Sequence, residues 1–364
     1  MKILAIHTGN NEDQYIHAVD LWRVTRPMRE LKKHVDWQID ERPTIMKHME
    51  QYKEAKDFTE AELKKTVDDL KQYDIVFGSY TAFMNGMVYA LCKMVSDKYG
   101  TKFIIDIDDD LFSINEDNVG WWRSMTHEKT HELQLIVRDN PYLTTTNEDL
   151  ARKLRQRNPG KVFILPNYIT EDYKAERPNN GDKVVIGYFG GASHFDDLNR
   201  TNAIQAIEKL MHEHKNVHFK SIGMPLVKYL PKARTSHVDG QRGKVWITDL
   251  IPSLQLDIAI APLTKSIFNN SKSDIKWQES TLAGAAFIAS NAPPYARTIK
   301  NGEDGILVGD DMSAWHNALE KLLDKKERDR LWTNANKRIR EDFMIENKWQ
   351  IYKEMFEAVC TDTL

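Results

Sequence analysis

Apolar residues in this chain come in short uninterrupted runs, and between the runs they recur every three to four positions. Lys2–Thr8, Asp74–Tyr80, Lys102–Ile107, Tyr142–Thr146 and Val162–Leu165 read as buried strands, and Val35–Ile39 alternates like another. Asp13–Lys33 predicts a helix with Val19, Trp22, Val24, Met28 and Leu31 on its apolar face. Further helices are expected at Thr59–Tyr73, Asn85–Lys98 (closed by Gly100) and Asp149–Gln156. The alternation then repeats, with strands at Val184–Phe189, Val217–Ile222 and Leu256–Pro262. Helices at Asn202–His214, Met312–Leu323, Lys326–Arg340 and Asn347–Val359 accompany them. Strand–helix alternation of this kind predicts an α/β protein with parallel sheets covered on both faces.

Two such halves need two cores, as expected for 364 residues. The polar, turn-rich stretch Thr170–Asp182 is the natural linker. The expected organisation is residues 1–168, a linker 169–183, a second domain 184–342 and a terminal segment 343–364.

The second half carries the most pointed chemistry. Lys272–Gly284 (KSDIKWQESTLAG) read as a helix puts Lys272, Lys276 and Glu279 along one face. Ser271 and Ser273 are helix-start residues, so free N–H groups and the positive dipole end would lie near Lys272. Two ammonium groups over such an end suit a diphosphate, and a carboxylate two turns on could grip ribose hydroxyls. An ordinary helix with a solvated Lys/Glu face would show the same pattern. The strand Val184–Phe189 runs into Gly190-Gly191-Ala192-Ser193-His194, where glycines would let a phosphate or sugar approach the backbone, or simply form a tight turn.

Together these segments resemble GT-B glycosyltransferases, particularly the retaining family with a Glu, seven residues, Glu signature. The likeness runs from residue 1 to about residue 345. It rests on TTTNEDLARKL…KVFILPNYI at the end of the first half, on the Gly-Gly-Ala-Ser-His turn, and on the Lys/Glu helix with its following strand. Glu279 matches the second glutamate of the signature, and Ser271 stands where the first would be, with Asn269 or Asn270 as replacements. The resemblance implies two Rossmann-like domains facing each other across a cleft, hinged at Pro166-Asn167, with the C-terminal helix crossing back to the first domain. It implies a donor site of Gly190, Gly191, Ser193, His194, Ser271, Lys272, Lys276 and Glu279 for a UDP- or GDP-sugar. Lys272 and Lys276 would stabilise the leaving diphosphate, and domain closure would exclude water. No cofactor and no divalent metal are then required.

On the acceptor side the expected residues are Gly9, Asn10, Asp109 and His127, with Asp108 and His131 as catalytic candidates. Asp106, Asp108, Asp109 and Asp110 form an acidic run that could bind Mn²⁺ or Mg²⁺ in the manner of GT-A enzymes. The two-fold α/β organisation favours a cleft-facing acidic loop instead. His127–His131 (HEKTH) satisfies the zincin pattern, yet no third ligand follows and the surrounding alternation is wrong for a zincin. Arg152, Lys153, Arg155, Arg157 and Lys161 read as a solvated helix face, and Arg23, Arg26 and Pro27 match an R-x-x-P element of unknown role.

Composition narrows the classes. A formal charge of −3 provides no global attraction to nucleic acid or anionic lipid, which makes peripheral membrane contact a minor expectation. No apolar run reaches a membrane-spanning length, and Cys92 and Cys360 read as reduced thiols of a cytoplasmic protein. The expected acceptor is a saccharide or glycan. The alternatives are a hydroxymethylated DNA base, as in phage enzymes of this type, a non-catalytic nucleotide-sugar binder and a sugar-nucleotide epimerase.

Overall fold

The computed structural model describes residues 1–9, 16–43, 45, 59–114, 127–171, 176–191, 194–226, 228–238 and 245–362. The chain forms two compact units, Met1–Asp109 with Met125–Tyr168 and Ile345–Leu364 in one, Asp110–Ser124 with Ile169–Met344 in the other.

The first unit is built on β1 (Lys2–Ile6), β2 (Gln38–Arg42), β3 (Ile75–Ser79), β4 (Lys102–Ile107), β5 (Tyr142–Thr145) and β6 (Lys161–Ile164). They form one six-stranded parallel sheet in the order β2-β1-β3-β4-β5-β6. The strand order reverses between β1 and β3, the position at which open α/β sheets bind ligands beyond their carboxyl ends. The expected strand at Val35–Ile39 is displaced: β2 begins at Gln38, because Val35 and Trp37 pack against the core from the preceding turn rather than pairing. Local chemistry sets the helix ends. Asn85 accepts hydrogen bonds from the Met87 and Val88 N–H groups to open Gly86–Tyr99, and Gly100 closes it at φ 79°.

The second unit holds β7 (Val184–Phe189), β8 (Val217–Ile222), β9 (Thr235–Val238), β10 (Ile258–Ala261), β11 (Ala286–Ser290) and β12 (Ile306–Val308). These again form a six-stranded parallel sheet, ordered β12-β11-β10-β7-β8-β9. Counted from β7, this is the dinucleotide-fold order 3-2-1-4-5-6, with its reversal between β7 and β10. β7 is buried along its whole length, as a central parallel strand must be. β9 was not foreseen from sequence, since Thr-Ser-His-Val on a sheet edge carries no apolar run.

The C-terminal helix Gln350–Cys360 returns to the first unit, as the fold expectation required. Tyr352, Met355, Phe356 and Val359 share one core with Ile3, Ala5, Val24, Met28 and Phe77. The Phe356 ring meets Phe77 edge-on at 5.6 Å, and His34 stacks on Trp349 at 4.4 Å.

The arginine that opens the Arg23–Pro27 segment has a structural role. Arg23 is buried in a helical segment with a π turn at Leu21–Thr25. Its guanidinium donates to Asp106 at 2.7 and 3.0 Å, to the Leu165 carbonyl at 2.5 Å and to Asn167 Oδ1 at 3.0 Å. The first carboxylate of the acidic run is thus an ion-pair partner inside the sheet, further held by Thr144 at 2.6 Å. Residues expected to be linker are tied to the second unit: Asn180 donates to the Gln255 carbonyl at 2.9 Å and to Asp257 at 2.8 Å. The basic run is a surface ion-pair network, with Arg152 on Asp149, Arg155 on Glu148 and Lys161 on Asp362.

Candidate functional site

The expected helix over Lys272–Gly284 is shorter. Its residues Ile275–Leu282 are helical, capped by Asp274, while Ser271 ends the preceding short helix Ile267–Asn270. Ser271 is buried and sits at the C-terminal end of that short helix, not at the start of the next. Lys272 belongs to the turn between the two helices, its ammonium 4.3 Å from the Phe268 ring centroid and its carbonyl accepting from Arg297 at 2.9 Å. Asp274 explains the late start. Its carboxyl is buried, accepts from Thr298 at 2.6 Å and Gln278 at 3.0 Å, and is pushed up by that burial despite both donors.

The Ile275–Leu282 helix is not an amphipathic surface helix. Trp277 through Leu282 are all buried, and Glu279 is only 4% exposed. Trp277 anchors one side, donating its indole N–H to the Asp304 carbonyl at 3.0 Å and meeting Phe343 edge-on. Trp332 donates to the Thr281 carbonyl at 2.8 Å. Glutamates are rarely buried without a partner, and Glu279 acts electrostatically on Lys276 one turn before it.

Lys276 points at the end of β7. Its Nζ donates to the Phe189 carbonyl at 2.6 Å and lies 5.2 Å and 5.3 Å from the Tyr188 and Phe189 ring centroids. Burial lowers its pKa to about 8; Lys272 adds to the lowering, while Glu279 and Asp197 oppose it. A Cβ on Gly190 would lie 2.8 Å from this ammonium and 2.5 Å from the Tyr188 hydroxyl, so a larger residue there must displace both side-chain ends. Gly191 is different. A Cβ there would meet none of the described residues within 4 Å, and its φ is not in the left-handed region.

His194 follows the turn and stands immediately before the helix Phe195–Arg200. Its Nδ1 lies 2.9 Å from Asp197 Oδ2. Asp197 is a residue that sequence reading missed, although the His-x-x-Asp spacing at a helix start was there to be used. Its other oxygen accepts from the Thr264 N–H at 2.9 Å, the Thr264 hydroxyl at 2.6 Å and Asn269 Nδ2 at 2.9 Å. Burial alone would raise the Asp197 carboxyl, but the bonds from His194 and Thr264 hold it below its ordinary range. Burial brings His194 down to about 4, the Asp197 bond opposing and the two lysines assisting. Thr264 follows β10, so Asp197 joins the loops on both sides of the strand-order reversal.

Of the residues expected at the donor site, Gly190 and Lys276 are drawn together at the end of β7, and Glu279, His194 and Lys272 act electrostatically with Lys276. Ser193 and Asn10 lie outside the described residues, as do the His127 and Glu128 side chains. Asn269 spends its amide on Asp197 and on Thr264. In the first unit, Gly9 has φ 111°, a conformation that favours glycine, just after β1. Asp108 and Asp109 are half-buried and, after burial itself, raise the pKa of Tyr80. His131 stands exposed on the helix His127–Asp139. No described helix is long and apolar enough to cross a membrane.

No protein-family model matches the chain, and no curated protein does. Solved structures do resemble it. Sucrose-phosphate synthase from Thermosynechococcus elongatus matches at TM-score 0.64 and 13% identity, covering 98% of this chain and 100% of that one. Anabaena HepE, solved with UDP and glucose, matches at 0.63 and 11%, covering 98% and 100%. A glycosyltransferase from Rickettsia africae matches at 0.63 and 11%, covering 100% and 99%. At such identities the likeness establishes the fold, the two-sheet α/β architecture of GT-B-type glycosyltransferases.

Proposed function

We propose that the protein transfers a sugar from a UDP- or GDP-sugar to a saccharide hydroxyl, with retention at the anomeric carbon. One observation carries the reading: a half-buried Lys276 donates to the Phe189 carbonyl where β7 runs into the glycine turn, at the reversal point of the second sheet, with the buried Glu279 acting on it electrostatically. Desolvating an ammonium costs free energy unless something compensates, and an anionic ligand beside Gly191 would add to what the Phe189 carbonyl and Glu279 already supply. Among the described residues nothing would meet a side chain at Gly191, which fits a ligand approaching closely there. HepE carries UDP and glucose in a fold of this kind.

In this reading Lys272 and Lys276 stabilise charge developing on the leaving diphosphate as the glycosidic bond stretches, and Glu279 holds the ribose. Preorganised charge is commonly the largest catalytic contribution. The ammonium groups provide the charge that a divalent ion would otherwise bring, so no metal is required. Retention rests on the match of Glu279 and the two lysines to the signature helix. Asp108 and Asp109, at the strand ends of the first unit, suit a neutral polyhydroxyl acceptor better than a phosphodiester strand. Free thiols at Cys92 and Cys360 accord with a cytoplasmic location.

The test is nucleotide release from UDP- and GDP-sugars. Lys276→Ala should lower turnover by about 10²–10³ while circular dichroism and the melting temperature report an intact fold. Unchanged turnover would remove the assignment. Nucleotide-sugar binding without turnover in the wild type would instead mark a non-catalytic binder.

A further inference from the structure

We propose that Asp197 is a positioning residue that fixes the tautomer of His194, so that His194 offers a bare Nε2 to a hydroxyl of the transferred sugar. The inference rests on the transferase reading above and deepens it.

Counting protons leads to it. Oδ1 of Asp197 receives three donors, and two of them, the Thr264 N–H and the Asn269 amide, can only donate. The Thr264 hydroxyl is itself within 3.1 Å of Asn269 Nδ2, which leaves its proton for Asp197. The remaining oxygen faces His194 Nδ1 at 2.9 Å. An ionised carboxylate only accepts, so Nδ1 carries the hydrogen. The charged groups acting on the ring are Asp197, Lys272 and Lys276; burial and the two lysines outweigh Asp197 and hold the imidazole neutral at physiological pH. Nε2 then has a lone pair, and no hydrogen bond reaches it from the described residues.

Such a nitrogen is wrong for phosphate. Diphosphate oxygens are acceptors too, and two lone pairs repel. A hydroxyl is the complementary partner. Because both lysines act on the ring, the hydroxyl belongs to the diphosphate end of the donor, where the sugar is attached, rather than to the base.

Asp197→Asn discriminates among roles. The three donors keep the carboxamide oxygen where Oδ1 stands, which turns Nδ2 toward His194. The ring must then accept at Nδ1 and carry its hydrogen on Nε2. Imidazole ¹⁵N NMR should show an Nδ1–H tautomer for His194 in the wild type and Nε2–H in the variant. Calorimetry compares UDP with UDP-glucose and GDP with GDP-mannose. His194→Ala and Asp197→Asn should each weaken the matching nucleotide sugar about tenfold, the scale of one lost hydrogen bond, and leave the diphosphate within about twofold.

Equal losses for diphosphate and nucleotide sugar would place His194 on phosphate and overturn the proposal. An Nδ1–H ring in Asp197→Asn, or unchanged nucleotide-sugar affinity in His194→Ala, would overturn it as well. If the asparagine variant does not fold, His194→Ala still decides. A wild type that binds neither UDP nor GDP sinks the transferase reading and this inference together. Diphosphate binding with no sugar-dependent difference sinks the inference alone.

Discussion

At the scale of single residues, the two glycines after β7 separate a packing constraint from a ligand constraint. Gly190→Ala would drive a methyl group into the Lys276 ammonium and the Tyr188 hydroxyl. It should lower the melting temperature of the free protein and weaken UDP binding together. Gly191→Ala meets none of the described residues. Its free-protein melting temperature should match the wild type, with loss only in the stabilisation by UDP that mass action gives the wild type. Thermal shifts with and without nucleotide read both. The lysine adds a pH signature. Lys276 titrates near 8, and only its charged form attracts an anion. Nucleotide-sugar affinity should therefore be level below pH 7.5 and fall as pH rises through about 8. The bound anion raises the lysine's pKa, so binding takes up protons near that pH, and calorimetric heats should vary with buffer ionisation enthalpy. Heats independent of buffer would count against Lys276 as the anion ligand.

Among the elements, the C-terminal helix of the first unit and the Lys276 helix of the second show what periodicity can and cannot reveal. In Gln350–Cys360 the buried set Tyr352, Met355, Phe356 and Val359 follows one helical face, and it supplies core to the first unit. Phe356→Ala should destabilise that unit by about 3–5 kcal/mol, read in urea unfolding, with UDP binding by the second unit retained under native conditions. The Ile275–Leu282 helix has no such face, because it is buried nearly all round. Its spacing was visible in sequence, but its start was not. Serines at 271 and 273 promise a start there, whereas Ser271 ends the preceding short helix and the first turn begins after Asp274. β2 and β9 were misplaced or missed for a related reason. Edge pairing depends on neighbours, and neither Gln38–Arg42 nor Thr235–Val238 carries an apolar run.

At the scale of the molecule, the chain keeps the fold of glycosyltransferases with which it shares 11–13% of its residues. What persists is pattern. Central parallel strands are covered on both faces and read as near-continuous apolar runs, so β4 and β7 read directly from sequence with the bounds they have in the structure, the buried Asp106 of β4 being paired with Arg23. The same rule located the repeated alternation, and Lys276, Glu279 and the glycine turn were legible from residue type and spacing. Only the tertiary structure could decide burial and partnership. It buried Glu279 and brought Lys276 to the Phe189 carbonyl, 87 positions away. It spent Arg23 on Asp106 and joined His194 to Thr264 through Asp197. Periodicity is a property of neighbours along the chain and survives in the sequence. The desolvation and hydrogen bonding that turn a lysine, a histidine or a carboxylate into a site arise from residues far apart, and exist only once the chain has folded.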